Sequence, residues 1–67
     1  MTEQRVVLVT GVAGGIGLAT AEVFADVGWH VVGVDRSSLE SRKGVGRFIQ
    51  ADISDPRDQA RIFSEIL

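Results

Sequence analysis

The chain has 67 residues and no cysteine, and its seven basic and nine acidic side chains leave a formal net charge of −2. This charge argues against a surface for nucleic acid or anionic membranes, and the lack of cysteine excludes disulfide bonds and thiolate metal sites. No apolar run approaches the length of a membrane span and no signal-peptide pattern precedes the first apolar run, so we expect a cytoplasmic protein without a metal site.

The first predicted strand, residues 6–9, leads directly into a glycine-rich turn. The turn reads Thr10-Gly11-Val12-Ala13-Gly14-Gly15-Ile16-Gly17. A helix that begins after such a turn offers unpaired backbone N–H groups and the positive end of its dipole to an anion. Gly11 permits the tight turn, Gly15 lets the backbone approach a diphosphate, and Gly17 lets the helix pack closely on the strand. We predict a phosphate-binding turn, with a purely structural glycine turn as the alternative.

An amphipathic helix is predicted from Ile16 to Val27. Its apolar face comprises Ile16, Ala19, Thr20, Val23, Phe24 and Val27, and Glu22 and Asp26 fall on the polar side. Gly28 stands where a left-handed C-terminal cap is expected.

The second predicted strand is His30–Asp35, whose β-branched run is typical of a strand buried on both faces of a parallel sheet. His30 begins this strand at the end away from a ligand edge, and we predict a structural role for it. Trp29 beside it is expected to cap the bottom of the sheet or to contact a part of the protein outside these residues.

Asp35 ends the second strand 20 residues after Gly15, the spacing at which dinucleotide-binding folds place an acid beside the adenosine ribose. A carboxylate accepts from both ribose hydroxyls and repels a 2′-phosphate, which favours NAD over NADP. A solvated strand-end carboxylate is the alternative for Asp35. Arg36 would stack on an adenine or extend into solvent.

A short crossover, residues 36–46, precedes the third predicted strand, residues 47–51, and is expected to form one or two helical turns around Leu39. Asp52 follows that strand at the edge where parallel sheets bind ligands, although a carboxylate there could also merely begin a loop.

The last predicted helix begins with Asp55 as N-cap and Pro56 as its first residue, and Asp58 favours the helix dipole. Its apolar stripe comprises Ala60, Ile62, Phe63, Ile66 and Leu67.

The glycine turn, Asp35 and the segment Ala51-Asp52-Ile53 together resemble the short-chain dehydrogenase/reductase family over essentially the whole chain. The resemblance implies an α/β fold, a Rossmann-type doubly wound parallel sheet of which these residues form the first three strands, the first helix and the start of a later helix. It also implies that Asp52 accepts a hydrogen bond from the adenine amino group and that the backbone of Ile53 holds the ring. The cofactor-binding residues expected are Gly11, Ala13, Gly14, Gly15, Ile16, Gly17, Asp35, Arg36, Asp52 and Ile53.

Two subfamilies fit the glycine spacing. Gly11, Gly15 and Gly17 match the classical subfamily, whereas Gly11, Gly14 and Gly17 match the extended subfamily of sugar-nucleotide epimerases and dehydratases. The extended pattern usually has an aromatic residue where this chain has Gly15, so we favour the classical type.

The resemblance implies an NAD-dependent oxidoreductase that transfers a hydride between nicotinamide and an alcohol or carbonyl substrate. The family's Tyr-x-x-x-Lys motif cannot occur here because the chain has no tyrosine, so no catalytic residue is assigned. Three parallel strands also need neighbours, so we expect residues 1–67 to be the N-terminal part of one incomplete NAD(P)-binding domain, inactive alone, with substrate contacts elsewhere. We expect a homo-oligomer, as is common in relatives. The alternatives are an extended-type epimerase or dehydratase and a non-catalytic dinucleotide-sensing module.

Overall fold

The computed structural model describes residues 4–39 and 43–66. Within these ranges the elements are, in chain order, β1 (Val6–Thr10), α1 (Gly15–Asp26), β2 (His30–Asp35), β3 (Arg47–Gln50) and α2 (Pro56–Ile66). The observed bounds agree with the predicted ones to within one residue wherever the sequence analysis predicted an end. The helical turn expected around Leu39 is absent from residues 36–39, and its remainder, like Leu67, lies outside the described residues.

The strands form one parallel sheet in the order β1-β2-β3, with β2 in the centre. Val6 pairs with His30 and Thr10 with Val34 on one side, and Asp35 pairs with Gln50 on the other. Because all three strands run in the same direction and in this register, their carboxyl ends meet at one edge of the sheet. The candidate site lies at this edge.

The two helices cover opposite faces of the sheet. Val9 and Val31 pack with Ala21 of α1, whereas Val32 and Val34 pack with Ile62 of α2. Alternate residues of a strand point to opposite faces, so Val31 belongs to the core beside α1 and its neighbour Val32 belongs to the core beside α2. This arrangement confirms the predicted α/β doubly wound fold.

The predicted inward face of α1 was only partly correct, because Phe24 packs against the core but three other members do not. Ile16, Val23 and Val27 are 88%, 63% and 68% exposed, although all three were placed on the buried face. The helix packs on the sheet through Ala21, which is fully buried, and through Leu18, Phe24 and Ala25, which are partly buried against the same core. These side chains recur every three or four residues, but the segment is apolar around most of its circumference, so more than one face of α1 fits a helical period.

The polar side predicted for α1 was also only half correct. Asp26 is exposed, but Glu22 is half-buried. Gly44 lies against it, at a position where a Cβ would come within 2.9 Å of the Glu22 Cα. The crossover between β2 and β3 therefore packs on this side of α1.

The C-terminus of α1 has the predicted left-handed cap. Gly28 has φ +90°, its N–H donates to the Ala25 carbonyl at 3.0 Å, and the Trp29 N–H donates to the Phe24 carbonyl at 3.0 Å. These two bonds define a Schellman motif, and the Phe24 and Trp29 rings pack 5.1 Å apart beside it. Arg5 lies over the Trp29 ring at 5.5 Å, so Trp29 packs at the end of the sheet where His30 begins β2, as predicted.

α2 begins with the predicted cap, since Asp55 Oδ1 accepts from the Arg57 N–H at 2.9 Å. Its apolar stripe is only partly confirmed: Ile62 is buried and Ile66 is partly buried, whereas Ala60 is exposed and Phe63 is 56% exposed. Ile62 packs against residues of β2 and β3, whereas Phe63 borders a groove together with Leu8 and Thr10 of β1. Within the described residues, neither helix is long and apolar enough to span a bilayer.

Candidate functional site

The loops after all three strands enclose a cavity of about 320 Å³. It is lined by Gly11, Val34, Asp35, Arg36, Ala51, Asp52, Ile53 and Ser54. Five of the ten predicted cofactor-binding residues therefore surround one space, although they come from three separate parts of the chain. The parallel register brings them together, because it aligns the ends of β1, β2 and β3.

A second cavity, of about 570 Å³, lies on the other side of Asp35. Its lining residues are Ala13, Gly14, Leu18, Asp35, Ser37, Ser38 and Leu39. Asp35 thus borders both spaces and is central to the site. Gly15, Ile16 and Gly17 lie outside both linings, in the first turn of α1.

The glycine turn combines a left-handed residue with a very close backbone contact. Gly11 has φ +68°, and a Cβ on Gly17 would lie 2.2 Å from the Gly11 carbonyl oxygen. Gly11 has the left-handed conformation that the predicted tight turn needs, whereas Gly17 lies against the turn and not, as predicted, against the strand. A Cβ on Gly15 would meet nothing within 4 Å, so the fold itself does not require a glycine there.

The N-terminus of α1 keeps its backbone donors unpaired. Gly14 is the N-cap and provides no side-chain hydrogen bond, and the first turn contains no acidic residue. The Leu18 N–H donates to the Gly14 carbonyl at 2.9 Å. Among the described residues no acceptor faces the N–H groups of Gly15, Ile16 and Gly17, which therefore point toward any anion bound there.

Asp35 ties the glycine turn to the end of β2. Its Oδ2 accepts from the Ala13 N–H at 3.0 Å, and its Oδ1 accepts from the Ser37 N–H at 2.9 Å. These bonds, that from Ser37 first, hold the pKa of Asp35 below its usual value and favour the ionised carboxylate. Sequence reasoning missed the Ala13 contact because it spans 22 residues and depends on strand register.

Asp52 is held by its own loop and by α2. Its Oδ1 accepts from Ser54 twice, from the N–H at 2.9 Å and from Oγ at 2.7 Å. The Ser54 hydroxyl, then the Ser54 N–H, lowers the pKa of Asp52. The Asp52 N–H donates to Asp58 Oδ2 at 2.7 Å, and the Ile53 carbonyl accepts from Gln59 Nε2 at 2.7 Å.

Two groups of this loop remain unpaired among the described residues: Asp52 Oδ2, an acceptor, and the Ile53 N–H, a donor. Both belong to residues that line the 320 Å³ cavity. Ser54 was not among the predicted site residues. The Asp-x-Ser spacing, typical of an Asx turn, was the signal that could have identified it.

Arg36 lines the same cavity as the two carboxylates and is exposed. Its charge contributes to the lowered pKa values of both Asp35 and Asp52, and its carbonyl accepts from Gln50 Nε2 at 2.9 Å. The backbone of Arg36 is therefore held at the cavity wall by the Gln50 side chain. The described part of the chain contains no cluster of three or more side chains suited to a metal ion.

A parallel sheet between two helices, with a glycine turn at the first helix and an acid at the end of the second strand, defines a Rossmann-type nucleotide-binding unit. Residues 7–66 match the family described as the NAD dependent epimerase/dehydratase family. The chain therefore belongs to this family, and the predicted relationship to the short-chain dehydrogenases/reductases is confirmed.

Several curated proteins are similar to the chain over most of its length. Protein FixR of Bradyrhizobium diazoefficiens is 32% identical over 96% of the chain, the short chain dehydrogenase ausX of Emericella nidulans 38% over 92%, and a coniferyl-alcohol dehydrogenase of a Pseudomonas species 38% over 98%. The chain spans 25%, 33% and 25% of these relatives, respectively.

A solved structure of 4-hydroxyisoleucine dehydrogenase complexed with NADH shares the fold, with a TM-score of 0.77 over 94% of this chain and 28% of that chain. The sequence identity is 19%, so this likeness establishes the architecture.

Proposed function

We propose that these residues form the adenosine- and diphosphate-binding part of an NAD-dependent short-chain oxidoreductase. The observation that carries the proposal is the cavity at the three strand ends. The carboxylate groups of Asp35 and Asp52 line this cavity and can each accept further hydrogen bonds. Hydride transfer to or from an alcohol or carbonyl substrate would require groups outside these residues, since the chain has no tyrosine. Cytoplasmic location and homo-oligomeric assembly stay predictions.

The loop after β3 suits the edge of an adenine. The 6-amino group of adenine is a donor and its N1 is an acceptor, which complements Asp52 Oδ2 and the Ile53 N–H. Arg36 lines the same cavity, and its guanidinium would stack on the ring. Asp52, Ile53 and Arg36 are therefore assigned to the base.

The end of β2 suits the adenosine ribose. Each oxygen of the Asp35 carboxylate accepts one backbone hydrogen bond and retains a further lone pair for a ribose hydroxyl. The same bonds keep the carboxylate ionised, and an ionised carboxylate repels a 2′-phosphate. These features support NAD rather than NADP as the cofactor.

The first turn of α1 suits the diphosphate. Gly11, Ala13 and Gly14 shape the turn, and the unpaired N–H groups of Gly15, Ile16 and Gly17 would donate to the phosphate oxygens. The open space at Gly15 leaves room for the diphosphate to approach the backbone.

Binding of NAD and NADP to the intact polypeptide, measured by isothermal titration calorimetry, tests the proposal. We expect tighter binding of NAD. The substitution Asp35→Asn should weaken NAD binding by about tenfold, because it removes a charged acceptor, and should narrow the preference over NADP. Asp26→Asn, at an exposed carboxylate at the far end of α1, is the control and should change neither affinity.

Equal affinity of the wild-type protein for NAD and NADP would contradict the cofactor assignment. Failure to bind either dinucleotide would contradict the proposed function.

The family match favours one second candidate, a sugar-nucleotide epimerase or dehydratase. Gly11, Gly14 and Gly17 fit that subfamily, and a Cβ on Gly14 would lie 3.4 Å from the Gly11 carbonyl oxygen. An assay distinguishes the two activities: NADH accumulates when an alcohol is oxidised, whereas an epimerase converts a nucleotide sugar without net NADH formation.

A further inference from the structure

Ser54 donates two hydrogen bonds to the side chain of Asp52. The Ser54 Oγ donates to Asp52 Oδ1 at 2.7 Å, and the Ser54 N–H donates to the same oxygen at 2.9 Å. The Asp55 N–H also donates to the Asp52 carbonyl at 3.0 Å, which closes the loop. One carboxylate oxygen is thus occupied twice, and the other, Oδ2, has no partner among the described residues.

The backbone of the loop that carries Asp52 is held by hydrogen bonds that do not involve Ser54. The Asp52 N–H donates to Asp58 Oδ2 at 2.7 Å, and Gln59 Nε2 donates to the Ile53 carbonyl at 2.7 Å. The N-terminal turn of α2 therefore anchors the main chain of the loop. Rotation of the Asp52 side chain is the freedom that remains, and the hydrogen bonds from Ser54 restrict it.

We propose that Ser54 is a positioning residue that makes Asp52 select a 6-amino purine over a 6-oxo purine. The inference rests on the proposed binding of NAD. A 6-amino purine presents a donor to Asp52 Oδ2 and an acceptor to the Ile53 N–H. A 6-oxo purine presents the opposite pair, so its carbonyl would face a carboxylate oxygen and its N1–H would face another donor.

Selection of this kind requires a carboxylate that cannot turn away from a mismatched base. Ser54 provides this restraint, because rotation of Asp52 would break both hydrogen bonds to Oδ1. The same bonds lower the pKa of Asp52, so the carboxylate remains an acceptor without a proton to offer to a 6-oxo group. Ser54 lines the cavity but acts through Asp52.

The test compares NAD with nicotinamide hypoxanthine dinucleotide, which differs from NAD in carrying a 6-oxo purine. Affinities of both for the intact polypeptide are measured by calorimetry in the wild type and in Ser54→Ala, Ser54→Thr and Ser64→Ala. Ser54→Ala should weaken NAD binding by about three- to tenfold, the cost of ordering one side chain on binding, and should leave the hypoxanthine analogue unchanged or bound more tightly.

Ser54→Thr restores the hydroxyl and should restore the discrimination. Ser64→Ala removes the same hydroxyl from an exposed position of α2 and should change neither affinity. In an Asp52→Ala background, the further change Ser54→Ala should have no effect on selectivity, since its target carboxylate is gone.

Equal weakening of both dinucleotides by Ser54→Ala would show a general role in loop structure and would overturn the inference while the proposed function stands. No effect on either affinity would overturn it as well. Absence of NAD binding to the wild-type protein would overturn the proposed function and the inference together.

Discussion

At the scale of single residues, Gly15 and Gly17 stand two positions apart but meet different surroundings. A Cβ on Gly17 would collide with the Gly11 carbonyl at 2.2 Å, and that oxygen belongs to backbone that cannot rotate away. A Cβ on Gly15 would enter open space. The fold therefore requires a glycine at position 17 but not at position 15, where we propose that the diphosphate approaches the backbone.

The substitutions Gly15→Ala and Gly17→Ala should consequently separate stability from binding. Gly17→Ala should lower the free energy of unfolding by about 1–3 kcal/mol or more, as overpacking does. Gly15→Ala should change it by less than about 1 kcal/mol, since alanine is at least as good in a helix, and should weaken dinucleotide binding. Urea denaturation and calorimetry on the intact polypeptide measure the two effects. A Gly15→Ala variant that binds NAD as well as the wild type would contradict the diphosphate assignment.

The positions of the site carboxylates could be predicted from the sequence, but their hydrogen-bond partners could not. Asp35 and Asp52 follow from their positions at strand ends, and the structure places both beside one cavity. The hydrogen bond from Ala13 to Asp35 could not be predicted, because it depends on the pairing of Thr10 with Val34. Ser54 carried a local signal, but only the observed bonds show that its hydroxyl holds a carboxylate.

At the scale of elements, β2 positions the glycine turn through a contact that contains no polar atom. Val12 is fully buried, and its side chain occupies the space above Gly33, where a Cβ would lie 2.8 Å from Val12 Cγ1 and 2.9 Å from Cγ2. The Val12 N–H also donates to the Val34 carbonyl at 3.2 Å. The turn is thus anchored in the core beside the strand that carries Asp35.

We expect Gly33→Ala to destabilise the protein by about 1–3 kcal/mol, because the added methyl group overpacks this contact. Val12→Ala in the same chain removes the two methyl groups that it would strike. The double variant should therefore lose less stability than the sum of the two single changes, measured by urea denaturation. Strictly additive losses would show that Gly33 and Val12 do not share this space.

α2 is joined to β3 by polar contacts at its edge as well as by Ile62 in the core. Arg61 donates to the Gln50 carbonyl at 2.8 Å, and Arg47 pairs with Glu65 at 3.2 Å. An exposed ion pair such as that of Arg47 with Glu65 contributes at most about 1 kcal/mol, so burial of Ile62 contributes more than this pair to holding the helix on the sheet. The position of α2 matters for function because Asp58 and Gln59 anchor the loop of Asp52.

At the scale of the whole molecule, two carboxylates hold together the loops that surround the site. Hydrogen bonds lower the pKa of Asp35 and of Asp52 in the folded protein. Both groups therefore stabilise the fold above the unfolded value of about 3.9, and this contribution is lost as the pH falls through their lower folded values.

The urea midpoint of the intact polypeptide should therefore vary little because of these groups between about pH 7 and pH 5 and should fall below about pH 4. A variant with Asp35→Asn and Asp52→Asn should be less stable at neutral pH and should lose less of its remaining stability on acidification. An equally steep acid dependence in that variant would contradict this assignment.

The sequence by itself determined the elements and much of the site, because their signals are local. Asp55 and Pro56 at a helix start, Gly28 at a helix end and Gly11 in a turn each act on the backbone within a few residues of themselves. The β-branched run of β2 is continuous, as expected for a strand buried on both faces of a parallel sheet, and the glycine-to-acid spacing is characteristic, so the fold class and Asp35 also followed from the sequence.

Only the tertiary structure decided which face of α1 turns inward, how the ends of three strands align, and which donors Asp35 and Asp52 bind. The sequence of α1 is apolar on most sides, so several faces fit a helical period, and packing on the sheet selects the face that contains Leu18, Ala21 and Ala25. Strand register sets distances between residues far apart in the chain, and no local signal specifies it. The site is composed of such distances, because its walls come from three loops that meet only when the parallel sheet has formed.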